Sequence, residues 1–325
     1  GQRTKVLDSV ARQFWQGLTR PSGVAVSIAL ALPGAVLLVL AITITPGFMS
    51  HSGDALFASS ARDYDLFAST RVLGLSETNQ SGRRLLVLGG STTRAAFLKR
   101  HLRQSLESAG FGDVEVVKLC TGRQKLWDTL AFVESVPKES TGVILVGVSP
   151  GLFAASNEDL RTSMSSSRLA FRSTIVSQLA VARGISPIQR RTGIYALDNA
   201  RFLWGRVKIM YNNLRSGQVP RIVDSWYVGR KPVGRRQYEI RAKAIESRMS
   251  RYQQNYLSNI AVLSTIAERV RSHTQMELVF VDVPINPDFL AEYRLQQLML
   301  EHETRIREFS LEHGIPYIVL REQIS

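Results

Sequence analysis

The sequence predicts an α/β fold built on a parallel, doubly wound sheet, and three observations carry that expectation. Five short apolar or β-branched runs, Leu85 to Leu88, Val114 to Leu119, Val143 to Val148, Glu277 to Val283 and Ile315 to Leu320, alternate with segments of helical spacing. The first run ends in Gly89-Gly90-Ser91-Thr92-Thr93 and passes straight into a helix-compatible stretch. The connections are long enough for the right-handed crossovers that join parallel strands.

Taken in order, residues 1–22 carry Arg3, Lys5, Arg12 and Arg20 against Asp8. Val6, Val10, Phe14 and Leu18 recur there at helical spacing, which fits a helix on a membrane surface or a short solvated lead-in. Gly23 to Thr45 then runs without a charged side chain over twenty-three positions. At about 1.5 Å per residue this spans a ~30 Å hydrocarbon core, and it exceeds the ~7 to 15 apolar residues of a signal peptide. Segment 23–45 is therefore expected to be a single transmembrane helix, kinked at Pro33 and Gly34. The basic residues before it keep the amino end cytoplasmic, so all that follows is extracytoplasmic, periplasmic or at a cell surface.

Residues 46–84, rich in Ser, Ala and Gly, read as a stalk with a helix over 61–75, and the folded body, 85–325, is expected to begin near Leu85. Phe97, Leu98, Leu102 and Leu106 mark a helix over 93–108, and Leu126, Leu130 and Val133 another over 125–136. A mostly helical insertion at about 150–275 separates the third and fourth strands. Within it, 242–272 shows the apolar stripe of a core-facing helix.

The formal net charge of +14 is concentrated in that insertion: thirteen Lys or Arg lie between Arg201 and Arg251 against Asp224, Glu239 and Glu246. Trp204, Tyr211, Trp226, Tyr227 and Tyr238 are interleaved with them. An extracytoplasmic domain meets little nucleic acid, so this surface, including Arg230, Lys231, Arg235 and Arg236, is expected to face anionic lipid, an acidic polymer or a partner protein. A solvated basic face is the plainer alternative. Cys120 is the single cysteine and reads as a small buried hydrophobe. His51, His101, His273, His302 and His313 lack ligand spacing, so no metal or cofactor is expected.

The chemistry centres on serines at strand ends. Ser91, at a helix start, is placed as a nucleophile whose own N–H points toward a forming oxyanion. Gly122, in Cys120-Thr121-Gly122, would add a second donor because it has no Cβ to keep a substrate away. Gly147-Val148-Ser149 would close the pocket. Gly147-Val148-Ser149-Pro150-Gly151 also matches a G-x-S-x-G elbow. Pro150, however, has no N–H for an oxyanion hole and drives Ser149 toward extended geometry. Two alternatives stay open for Ser91: a cradle for a simple phosphate and a plain helix N-cap.

The anchor, the strand ending in Gly89-Gly90-Ser91 and Gly122 after the second strand together resemble the SGNH (GDSL-like) hydrolase superfamily. The nearer likeness is to its membrane-anchored branch, with the D-alanine transfer protein of teichoic acid D-alanylation and related O-acyl transfer proteins. Ser149-Pro150 and Phe153 are similar to that branch's Ser-Pro-Gln-Trp-Phe stretch, with Gly151 and Leu152 as departures. Pro284-Ile285-Asn286 is similar to its Pro-Val-Asn. Gly90 stands where an acidic residue is usual, and the Asn common after the third strand is missing, which leaves Ser149 as the substitute donor.

The resemblance implies a catalytic Ser91, an oxyanion and substrate pocket of Gly90, Gly122 and Ser149, and Asn286 beside it; Asp282, near the exit of the fourth strand, would face that pocket or serve equally as a buried structural carboxylate. It implies an acyltransferase or esterase moving acetyl or D-alanyl groups on an envelope polysaccharide or polymer, with a membrane-bound O-acyltransferase as partner and no cofactor. The superfamily draws its base and acid from an Asp-x-x-His after the fifth strand; none occurs in this sequence, so the chain is expected to continue past Ser325. His101 is expected to point away from the site, and His302 and His313 to lie nearer the opposite edge of the sheet. The alternative is a non-catalytic SGNH-like scaffold subunit of an envelope polysaccharide assembly complex.

Overall fold

A computed structural model describes residues 43–77, 82–164, 174–185, 192–221, 234–283 and 287–320, with the isolated positions 31, 34, 35 and 39. The expected membrane span falls almost wholly outside these residues, and no described helix is long and apolar enough to cross a membrane. The chain divides into two compact units, Gly1–Thr45 with Thr192–Asp198, and Pro46–Arg191 with Asn199–Ser325.

The larger unit is an α/β fold around five parallel strands: β1 (Arg83–Gly89), β2 (Glu115–Cys120), β3 (Thr141–Val148), β4 (Gln275–Asp282) and β5 (Tyr317–Val319). Helices α1 (Pro46–Phe57) and α2 (Tyr64–Glu77) precede β1; α3 (Ser91–Ala96) and α4 (Lys99–Ser108) lead to β2, and α5 (Leu126–Glu134) leads to β3. Between β3 and β4 lie α6 (Pro150–Phe153), α7 (Asn157–Met164), α8 (Thr174–Ala182), α10 (Ala200–Ser216), α11 (Arg235–Met249) and α12 (Tyr252–His273). Helices α13 (Pro287–Glu292) and α14 (Gln296–His313) lead to β5. The smaller unit holds α9 (Tyr195–Asp198), whose Asp198 carboxylate accepts hydrogen bonds from the Thr192 N–H at 2.7 Å, the Thr192 hydroxyl at 2.8 Å and the Gly193 N–H at 3.2 Å.

All five apolar runs become strands, in the order β2-β1-β3-β4-β5. Leu85 of β1 is level with Val116 on one side and Val143 on the other, and Val148 of β3 with Asp282 of β4. A parallel sheet is covered on both faces, and the covering helices read accordingly. Leu126 to Val133 of α5 are buried without a break, Trp127 completely, and α12 packs across them with Val262, Leu263, Ile266 and Val270.

Three boundaries differ from the sequence reading, each for a local reason. Residues 46–77, expected as a stalk, form α1 and α2 of the larger unit, and Ala68, Val72 and Leu75 join its core. Helix α10 of the insertion clamps the end of α1: Arg206 donates to the Phe57 carbonyl at 2.7 Å and pairs with the Asp63 carboxylate, while Asn213 donates to the carbonyls of Leu56 at 3.1 Å and Ala58 at 3.0 Å. Small polar residues there serve helix packing, a use that composition does not separate from a linker. The helix expected over 93–108 breaks at Phe97 and Leu98, both extended. The stripe expected over 242–272 belongs to two helices parted at Ser250 and Arg251, where the Ser250 hydroxyl bonds back to the Ser247 carbonyl at 2.9 Å and Arg251 reaches Asp159 at 3.7 Å.

Candidate functional site

Strand β1 lies between β2 and β3, so the chain reverses its direction across the sheet there, and the carboxyl ends of β1 and β3 form the crevice where doubly wound folds gather ligands. Gly89, with φ +151°, and Gly147 line it. A Cβ on Gly89 would stand 2.4 Å from Thr93 Oγ1, and one on Gly147 2.0 Å. Both glycines therefore make room for the buried Thr93 side chain, wedged between the two strand ends. Thr93 was not singled out from the sequence, although paired glycines at two strand ends are the signal that could have found it.

Ser91 opens α3 in an exposed position, with Gly90 holding the N-cap in extended geometry at φ −78° and ψ −165°. The N-cap role thus belongs to Gly90. Among the described residues no group hydrogen-bonds the Ser91 hydroxyl. Ser149 sits half-buried at φ −140° and ψ 151° ahead of Pro150, the extended geometry that rules out an elbow. Asp282 closes β4 and is buried. Asn286, Arg230 and Lys231 lie outside the described residues; Arg235 and Arg236 are exposed on α11, Arg235 pairing with Glu239 at 3.1 Å.

The loop after β2 is fixed by its own side chains. Thr121 N–H donates to Gln124 Oε1 at 2.9 Å, Gln124 Nε2 to Thr129 Oγ1 at 3.0 Å, and Lys125 N–H to Asp128 Oδ2 at 2.8 Å. Arg123 takes a left-handed φ of 55° within it. The Gly122 N–H, expected as an oxyanion donor, donates to Asp65 Oδ1 of α2 at 3.1 Å. A carboxylate oxygen thus occupies the direction in which a reacting oxyanion would be received.

Two groups of cations stand near the loops after β1 and β2. Lys125 lies 3.4 Å from Asp159, and burial holds its amine below the ordinary lysine range despite that partner, with Arg248 adding to the effect. Burial likewise lowers Arg248, helped by Arg123 and Arg251. Burial alone would raise the Asp159 carboxyl, but hydrogen bonds from Ser156 and the charges of Lys125 and Arg251 hold it low. On the other side of α3, Arg94 is buried one turn from Ser91 and stacks its guanidinium 3.6 Å over the Tyr64 ring. It lines a cleft of about 630 Å³ with Arg71, Lys99, Arg100, Arg103 and Lys118, against Glu107 and Glu115. Cys120 is buried there, its thiol donating to the Val87 carbonyl at 3.3 Å.

None of His273, His302 and His313 is placed as a base at the carboxyl edge of the sheet. His273 and His313 end the helices that enter β4 and β5, at the amino edge of the sheet. His302 corrects the sequence reading: its ring lies 5.0 Å from that of Phe153, just past the carboxyl end of β3. It is fully buried, and burial, then Arg305, push its pKa down to about 3, too weak for a base at neutral pH.

No protein-family model matches this chain, and no curated protein matches it.

Proposed function

We propose that this chain is a membrane-anchored, extracytoplasmic acyl-transfer protein or esterase. Ser91 Oγ attacks an acetyl or D-alanyl donor and forms the ester as the donor's carrier leaves with the hydroxyl proton; a hydroxyl of a cell-envelope polymer, or water where the polymer ester was the donor, then attacks that ester and returns a proton to Ser91. A membrane-bound O-acyltransferase supplying acyl groups is the implied partner. The observation that carries this reading is the exposed Ser91 at the first position of α3, at the carboxyl edge of a parallel sheet of order β2-β1-β3-β4-β5. The resemblance of Gly89-Gly90-Ser91 and Gly122 to the SGNH superfamily supports the same assignment, and that resemblance places the base after β5. The cleft that Arg94 of α3 lines with Arg71, Lys99, Arg100, Arg103 and Lys118 supports an acceptor carrying phosphate or carboxylate groups.

Intact mass of the protein purified from its own membrane, before and after a fluorophosphonate, tests the assignment. One adduct on the wild type and none on Ser91→Ala is expected. Equal masses for treated and untreated wild type would end the nucleophile reading.

The hydrogen bond from Gly122 N–H to Asp65 favours a second reading, a non-catalytic scaffold whose donor is permanently covered. Asp65→Ala separates the two. If Asp65 only guards the donor, the variant labels faster than wild type by about a hundredfold, the scale of one oxyanion hydrogen bond; a scaffold stays unlabelled in both forms.

A further inference from the structure

Helix α10 presents an unusual face to water. Trp204 is 81 % exposed, Val207 44 %, Tyr211 59 % and Leu214 62 %. Their three- and four-residue spacing puts them on one stripe. Arg201, Lys208 and Arg215, spaced by seven, form a second stripe beside it, and the helix contains no acidic residue. The opposite face is already used, since Arg206 and Asn213 tie it to the end of α1. An apolar stripe of this size, left open on a helix anchored so firmly, calls for an occupant.

We propose that α10 lies in the interface of an anionic membrane, its Trp204–Val207–Tyr211–Leu214 stripe among the acyl chains and its Arg201–Lys208–Arg215 stripe on lipid phosphates. Charge complementarity selects this occupant: an aromatic-bearing apolar stripe bordered by cations alone is the pattern of helices that rest on anionic bilayers, with Trp and Tyr at headgroup level. Chain continuity agrees, because α1, on which α10 packs, begins at Pro46, the residue after the apolar segment 23–45. The function this adds is orientation. On the proposed reading that segment 23–45 spans the membrane, α10 would be a second attachment to it. The inference does not depend on the chemistry at Ser91.

The test uses the whole chain reconstituted into vesicles of phosphatidylcholine with or without phosphatidylglycerol. A polarity-sensitive fluorophore is placed on Val207→Cys, and on Leu311→Cys of α14 as an exposed reference; Cys120, buried, is replaced by Ala in both. Brominated lipid is expected to quench the probe at 207 about twofold or more in phosphatidylglycerol vesicles and to leave the probe at 311 unquenched. Lys208→Glu with Arg215→Glu, both at exposed positions, should weaken that contact by on the order of tenfold, given the attraction of each basic residue to an anionic leaflet. A probe at 207 that stays open to aqueous quencher in both vesicle types overturns the proposal. So does lipid quenching that the charge reversals leave intact, or efficient disulfide formation between two unlabelled Val207→Cys chains, which would make a second copy the occupant.

Discussion

Gly147→Ala is expected to destabilise the larger unit by about 3 kcal/mol, a large effect for one methyl group, because the site is overpacked rather than emptied. The new Cβ would lie 2.0 Å from Thr93 Oγ1, 2.7 Å from Cγ2 and 2.9 Å from Cβ. Thr93 has nowhere to go: it is buried, and its backbone belongs to α3, whose first turn begins at Ser91. Thr93→Ala removes the two worst contacts and leaves one at 2.9 Å, so the double variant should recover at least half the loss. Urea midpoints of the four forms give the coupling directly. Strictly additive losses would mean that the two side chains do not share one space. Gly89→Ala should be rescued less well, since its φ of 151° adds a backbone cost that Thr93→Ala cannot relieve. Ser91, the proposed nucleophile, opens the helix that carries Thr93, so a shift of the wedge between the β1 and β3 ends would move it as well.

The legible part of this fold was its periodicity. Leu85 to Leu88 and Val143 to Val148 announce buried parallel strands because both their faces are apolar, and the glycines at their ends mark the crevice. Helix breaks were not legible, since the apolar spacing continues across Phe97 and Leu98, where the backbone turns extended, and across Ser250 and Arg251, where a hydroxyl bond and an ion pair accompany the break. The role of residues 46–77 was hidden for a similar reason: Ser, Ala and Gly suit a linker or a close helix contact, and the core contacts of Ala68, Val72 and Leu75 with the bonds from Arg206 and Asn213, far along the chain, decide between them. At the site, Ser91, Gly122 and Ser149 could be placed from their strands, but the Asp65 carboxylate on the Gly122 N–H joins residues 57 positions apart and leaves no local pattern. The cations of the α3 cleft escaped notice because Arg71, Arg94 and Arg103 come from three different helices.

Acid should weaken this protein well before its carboxylates titrate, and His302 is the reason. The ring is fully buried, edge-on to Phe153 and Tyr252, with Nδ1 3.1 Å from the Tyr252 hydroxyl and Nε2 without a partner among the described residues. Burial and the Arg305 charge bring its pKa to about 3 from an ordinary 6.5. Between those values the unfolded chain binds a proton that the folded chain refuses, so stability rises with pH there: it is complete above about 6.5 and is lost as the pH falls toward 3. At about 1.4 kcal/mol per pH unit, lowering the pH by two units from 6.5 removes roughly 2 to 3 kcal/mol, read as a falling urea midpoint. The Asp63 and Asp159 carboxyls, held low by Arg206 and by Ser156 and Lys125 against the opposing pull of burial, act in the same direction but only at lower pH. Asp54, raised by burial, works the other way and trims the slope. His302→Phe keeps a ring in the stack and discards the titration. It should cost about 1 kcal/mol at neutral pH, for the hydrogen bond lost between the Tyr252 hydroxyl and the ring, while flattening the profile between pH 6.5 and 4.5. A wild-type profile already flat over that interval would mean that the folded protein accepts the proton, which requires an anion or water beside Nε2. For a domain proposed to work outside the cytoplasm, this buried imidazole sets the lower pH at which the carboxyl edge of the sheet stays assembled, through the Phe153 that follows β3.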